Sequence, residues 1–201
     1  MPTERPDTRQ HILDCGQHLI AGKGFVAVGL AEILASAGVP KGSFYHYFAS
    51  KEAFGVALLE RYEAACTTRM AALDAEPGLT GAQRVLRSFE HWAQRQRGTD
   101  AAQHCLITKL GAEIADLSDA MRARMLAMTE AVLRQLAAHV AAGQADGSIA
   151  NRQAPEALAQ WLYQAWLGAS LLAKLRRDDS PFASALARTD ELLRTHAGPP
   201  A

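Results

Sequence analysis

Two short stretches of this 201-residue chain carry side chains able to do chemistry. The first, Gly29 to Lys51, reads GLAEILASAGVPKGSFYHYFASK. Within it Lys41, Gly42, Ser43, Tyr45, His46 and Tyr47 supply hydrogen-bond donors, one residue small enough for close approach, and polar aromatic rings. Groups of this kind contact phosphate oxygens and base edges of nucleic acid. Lys51 follows in the first turn of the next predicted helix, where the dipole disfavours a cation unless an anion such as phosphate lies nearby. The second stretch, His104 to Gly111, reads HCLITKLG and sets Cys105 beside His104 and one helical turn before Lys109. A thiol near a helix start and close to basic groups is favoured as thiolate. A single cysteine among apolar neighbours is more commonly an inert small hydrophobe, so both roles stand at this point.

The elements that must position these residues all read as helix. Apolar residues recur at helical spacing, and no stretch shows the period-two alternation of a half-buried strand. A first helix is predicted from Asp7 to about Gly22, with Ile12, Leu13, Gly16, Leu19 and Ile20 on one face and Gly22-Lys23-Gly24 ending it. A short second helix spans Gly29–Ala37, Gly38-Val39-Pro40 forms a turn, and a third runs from Lys41 to about Tyr47 with Phe44 and Phe48 inward. Two short helices about a glycine-containing turn form a helix-turn-helix, whose second member lies in the DNA major groove. Tyr45, His46 and Tyr47 cannot all share the face of Phe44 and Phe48, so some of them point outward; a helical hairpin with packed aromatics is the competing reading. Ser50 is the expected N-cap of a fourth helix. Longer helices follow near Thr80–Arg97, Ala101–Glu113, Ser118–Gly143 and Pro155–Arg177, then a shorter one at Pro181–Thr195, with a frayed tail from His196 to Ala201.

Bulk composition excludes more than it assigns. Lys plus Arg and Asp plus Glu number 21 each, and the first 51 residues are not notably basic, so DNA binding must rest on where charges sit. The three cysteines show neither disulfide nor zinc spacing, and no metal or other cofactor is expected. The start MPTERPDTRQ lacks the apolar run of a signal peptide, and no stretch approaches the ~20 apolar residues of a membrane span, which points to a reducing cytoplasm. Catalytic-triad, metal-ligand and phosphate-loop patterns are all missing, so no enzyme is expected.

Gly24-Phe25, Ala37-Gly38-Val39, Lys41-Gly42-Ser43-Phe44-Tyr45, Tyr47-Phe48 and Lys51-Glu52 stand in an order that resembles the TetR family of repressors over roughly residues 7–60. The resemblance implies an all-α protein of about nine helices. Residues 7–67 would form a helix-turn-helix domain, and residues 68–201 a helical bundle for effector sensing and dimerisation. It also implies a homodimer joined through the last two long helices. Such a dimer reads a palindromic DNA operator whose half-sites lie about one helical turn, ~34 Å, or a multiple of it apart. On Pro155–Arg177, Leu158, Trp161, Leu162, Ala165, Trp166, Gly168, Ala169 and Leu172 fit such an interface, although an internal core helix carries the same pattern. Where the family usually has a threonine pair, this chain has Val28-Gly29, so a hydroxyl contact to phosphate is missing and the backbone N–H near Leu30 is the expected substitute.

Farther along, CLITKL, AEIADLSDAMR and WLGASLLAK resemble the NemR-like branch of the family, repressors that sense reactive electrophiles such as quinones, aldehydes and oxidised chlorine species through a cysteine. That resemblance implies Cys105 as the sensor, with Lys174 a candidate partner of the thiol; Cys15 and Cys66 are expected to be structural. Trp92, Met125, Trp161 and Trp166 are apolar enough to line a pocket, and a repressor with a reversible apolar ligand there is the alternative. A helical redox protein that never binds DNA is a remote third reading.

Overall fold

The computed structural model describes residues 7–98 and 104–195, and their regular structure is helix throughout. In chain order the helices are α1 (Thr8–Lys23), α2 (Leu30–Ala37), α3 (Lys41–Tyr47), α4 (Lys51–Asp74), α5 (Gly81–Arg97), α6 (Leu106–Leu117), α7 (Asp119–Asp146), α8 (Pro155–Arg176) and α9 (Ser180–Arg194). The all-helical class and the nine elements are as the sequence predicts. The tail from His196 and the expected helix start at Ala101 lie outside the described residues. No described helix is long and apolar enough to cross a membrane.

Two helix ends differ from expectation, each for a packing reason. α6 continues past Glu113 because Ile114 is fully buried. It stops only at Ser118, whose hydroxyl accepts the Met121 N–H at 3.2 Å and caps α7. α7 passes through Gly143 to Asp146 because that glycine serves contact rather than termination. A Cβ there would lie 3.1 Å from the Ala82 nitrogen and 2.5 Å from Ile149.

The described residues form two compact units. The first contains α1, α2, α3, α4 through Ala65, α6, and α7 through Leu126; the second contains the remainder of α4 and α7 with α5, α8 and α9. In the first unit Ile12, Leu13 and Ile20 of α1, Ile33 of α2, Phe44 of α3 and Phe54 and Leu58 of α4 are all essentially sealed from solvent. The hydrophobic stripes read from the sequence therefore converge on one core.

The second unit is built around aromatic rings on α5 and α8. Phe89 stacks on Trp166 with centroids 4.5 Å apart, and Trp166 lies over Phe182 at 6.1 Å. The indole N–H groups are both satisfied: Trp92 donates to Ser170 Oγ and Trp166 to Thr189 Oγ1, each at 3.0 Å. On α8, Leu158, Leu162, Trp166 and Ala169 are buried in this core, whereas Trp161, Gly168, Leu171, Leu172 and Leu175 are exposed. The predicted interface helix thus divides its residues between two faces.

α5 starts well because every early amide finds an acceptor. Thr80 and Gln83 form a reciprocal capping box, Asp146 accepts Gly81 N–H at 2.8 Å, and Ser148 accepts Ala82 N–H at 3.0 Å. The Ser148 hydroxyl, and then the Gly81 and Ser148 amides, hold the Asp146 carboxyl below its ordinary pKa. α5 and α7 meet at Gly81, where an added Cβ would lie 2.0 Å from the Gly143 nitrogen. Gly81→Ala is therefore expected to lower stability by about 1–3 kcal/mol through overpacking. Urea unfolding at one fixed protein concentration checks this, and an unchanged midpoint contradicts it.

Candidate nucleic-acid interface

α3 is only seven residues long. A helix this short has little stability of its own, so neighbours must hold it in place. Phe44, fully buried, meets Phe48 at 5.1 Å and Phe54 at 5.6 Å, and Phe48 meets Phe54 edge-on at 5.2 Å. The ring of Phe54 lies directly over Gly16 of α1, where a Cβ would sit 2.3 Å from its tip. α3 is thereby tied to α1 and α4 through three rings and one missing side chain.

The turn before α3 is equally determined. Gly38 adopts the left-handed conformation, with φ of 62°, and its N–H closes back on Ala35 and Leu34. The preceding Ala37 carbonyl accepts a hydrogen bond from His11 Nε2 at 3.1 Å. Pro40 then occupies the N-cap of α3 with extended backbone.

With Phe44 and Phe48 inward, the rest of α3 faces out. Lys41, Gly42, Tyr45, His46 and Tyr47 are exposed, Tyr45 and Tyr47 to 48% and 38%, and Ser43 is half-buried. All three of Tyr45, His46 and Tyr47 therefore leave the core. The Lys41 ammonium lies 5.7 Å from the centre of the Tyr45 ring, and His46 and Tyr47 pack edge-to-face at 4.8 Å. The result is one outward surface of a cation, an imidazole and two phenols around a glycine. It has donors for phosphate and base edges, and room at Gly42 for close approach.

Lys51 departs from this group. Its amine donates to the Phe25 carbonyl at 2.7 Å and lies 4.6 Å from the centre of the Phe25 ring. Burial lowers its pKa, and the nearby Glu113 carboxylate partly offsets that. Within the chain, the partner of this cation is the Phe25 backbone carbonyl. From α1, the Arg9 guanidinium lies 5.5 Å from the centre of the Phe48 ring.

Cys105 is the N-cap residue of α6 and is half-buried, in the first unit with the helix-turn-helix. Its carbonyl accepts from the Lys109 N–H at 3.3 Å and the Thr108 hydroxyl at 2.8 Å. Lys174 is exposed in the last turn of α8, in the second unit. Cys15 donates to the Ser36 carbonyl at 3.5 Å, Cys66 accepts from Arg69 at 3.1 Å, and no described cysteine is in a disulfide. The proposed pocket residues are divided between the two units. Trp92 and Trp166 belong to the packed aromatic core, Trp161 is exposed on α8, and Met125 is buried in the first unit. Core rings with satisfied N–H groups are packing, and the helical-spacing signal could not separate that from a lining.

Residues 12–58 match the family model for bacterial regulatory proteins of the tetR family, and residues 81–189 match the tetracyclin repressor-like C-terminal domain. The chain is 40% identical over 193 residues to the HTH-type transcriptional repressor NemR of Escherichia coli K12, covering 95% of this chain and 96% of that protein. It is 35% identical over 190 residues to the transcriptional regulator AcuR of Cereibacter sphaeroides, covering 91% and 85%. The crystal structure of reduced E. coli NemR superposes with a TM-score of 0.88 at 40% identity, covering 96% of this chain and all of that one.

The burial pattern separates scaffold from surface experimentally. Phe44→Ala is expected to cost about 3–5 kcal/mol of stability, whereas Lys41→Ala stays within about 0.5 kcal/mol. Thermal unfolding of the two variants checks this, and comparable losses would contradict the division.

Proposed function

The chain belongs to the TetR family of DNA-binding transcriptional regulators, and from that premise we propose a repressor released from its operator when a reactive electrophile or oxidant modifies Cys105. Residues 7–67 act as the DNA-binding module and residues 68–201 serve sensing and dimerisation, with residues 104–126 packing into the same compact unit as the helix-turn-helix. The outward set Lys41, Gly42, Tyr45, His46 and Tyr47 carries the DNA contacts, since each is presented to solvent while Phe44 and Phe48 anchor their helix. Ser43 contributes from the edge of that surface.

The observation that carries the sensing role is the placement of Cys105: half-buried, at the N-terminus of α6, within the compact unit that holds the recognition helix. A helix N-terminus favours thiolate. Toward an electron-poor alkene such as a quinone, the sulfur forms a C–S bond at one alkene carbon. The displaced electron pair takes up a proton at the other, so nothing is oxidised. The adduct then disfavours the DNA-competent state by overpacking. The solved relative named for its reduced form supports a redox-distinguishable state in that protein.

Two copies of the chain read a palindromic operator. Trp161, Gly168, Leu171, Leu172 and Leu175 on the exposed face of α8 support a dimer contact there. Large apolar groups left on one helix face favour a partner surface.

Fluorescence anisotropy on DNA from the upstream region of its own gene, at one salt concentration, tests the reading. N-ethylmaleimide is expected to weaken binding by about tenfold or more, and Cys105→Ser is expected to abolish that response. A full response in Cys105→Ser would replace the thiol switch with a reversible ligand. Leu172→Glu is expected to convert dimer to monomer in light scattering and to weaken operator binding by about tenfold or more. A variant that remains dimeric places the interface elsewhere.

A further inference from the structure

One group of side chains is left unexplained by the recognition surface and by the thiol. The backbone between α1 and α2 turns through Gly24 to Gly29 without regular structure, and its amides need partners. Two of them are met from α6, far along the chain. The Glu113 carboxylate accepts the Phe25 N–H at 3.0 Å with one oxygen and the Val26 N–H at 2.5 Å with the other. Lys109, one turn earlier on α6, donates to the Gly22 carbonyl at 2.9 Å, at the end of α1. Lys51 holds the Phe25 carbonyl from the α4 side.

Cys105, Lys109 and Glu113 recur at every fourth residue, so they lie on one face of α6. The face that begins with the thiol thus carries both side chains that grip the loop. That loop delivers the fully buried Val28 and then Gly29, the N-cap of α2, so its position sets where the helix-turn-helix begins. A carboxylate receiving two amide N–H groups makes charge-assisted bonds, stronger than neutral ones and demanding in direction.

We propose that Glu113 is a positioning residue through which α6 holds the α1–α2 loop, so that a change at the N-terminus of α6 reaches the recognition helix by loosening this grip. The regulatory half of this inference rests on the thiol-switch reading of Cys105. The structural half, that Glu113 sets operator affinity through the loop, does not. Helix shifts that bias a packed two-state element are an established form of such coupling.

The test uses the full-length protein with N-ethylmaleimide as the probe, which adds to the Cys105 thiol across its alkene with the thiol proton ending on the ring. Amide hydrogen exchange is followed by NMR. The Phe25 and Val26 amides are expected to be protected in the unmodified chain and to lose about tenfold or more of that protection once Cys105 is alkylated, while amides of Leu158 to Ala173 keep theirs. Unchanged protection at Phe25 and Val26 after complete alkylation overturns the coupling. Falling protection without a change in operator affinity overturns the proposal, because the loosened loop then leaves operator binding intact. Weaker operator binding by Glu113→Gln beside a wild type indifferent to the reagent overturns the thiol-switch reading alone.

Glu113→Gln keeps the shape but presents an NH2 group where the second amide needs an acceptor. It is expected to weaken operator binding of the unmodified protein by about tenfold and to shrink the response to the reagent to about twofold. The circular dichroism spectrum and the alkylation rate of Cys105 by mass spectrometry should stay at wild-type values. A variant that only loses thermal stability, with affinity and response intact, shows a merely structural carboxylate and overturns the proposal.

Discussion

The ring of Phe54 resting on Gly16 is the contact from which the DNA-facing part of this protein is organised. α1 and α4 approach closely because position 16 has no side chain, and the ring that fills the space is the same one on which Phe44 and Phe48 converge. α3 has too few residues to be helical by its own propensity. Its order comes from these rings, with the left-handed Gly38 turn fixing where it starts. The exposed surface of Lys41, Tyr45, His46 and Tyr47 is therefore as well placed as the aromatic seat beneath it.

Away from that seat, several buried polar groups are met by side chains or carbonyls of neighbouring helices. The two core indoles each find a hydroxyl on a neighbouring helix, and Arg84 gathers the carbonyls of Leu73, Asp74 and Glu76 at the end of α4. Buried Asn151 donates to Leu192, while its own N–H joins that of Ala150 on the Leu193 carbonyl. The Arg84 and Asn151 sets close the ends of α4 and α9, whose last carbonyls would otherwise lack partners. The loop between α1 and α2 follows the same rule, with carboxylate and ammonium groups supplied by α6 and α4.

Local features were legible in the sequence to the extent that local physics decides them. The Ser50 cap, the glycine turn at Gly38, and the inward Phe44 and Phe48 all follow from spacing and side-chain type, and all stand as expected. Contacts between distant residues were not legible. Nothing near Lys51 announces that its partner is the Phe25 carbonyl, and nothing near Glu113 announces two amides some 88 positions earlier. The tryptophans illustrate a different limit. Trp92, Trp161 and Trp166 have the same composition signal, and only packing shows two to be core and the third to be surface. Gly143 shows a third, since a glycine inside a helix reads as a stop whether it ends the helix or lets another backbone approach.

The outward residues of α3 share a property that bears on descent. Lys41, Gly42 and His46 face away from the buried Phe44 and Phe48. Selection can therefore exchange them without solving the fold again, and on the proposed reading of this surface drift at those positions would alter which operator is read while the molecule that reads it survives. A duplicated copy of such a gene is free to acquire a new target one surface residue at a time, with the aromatic seat inherited intact.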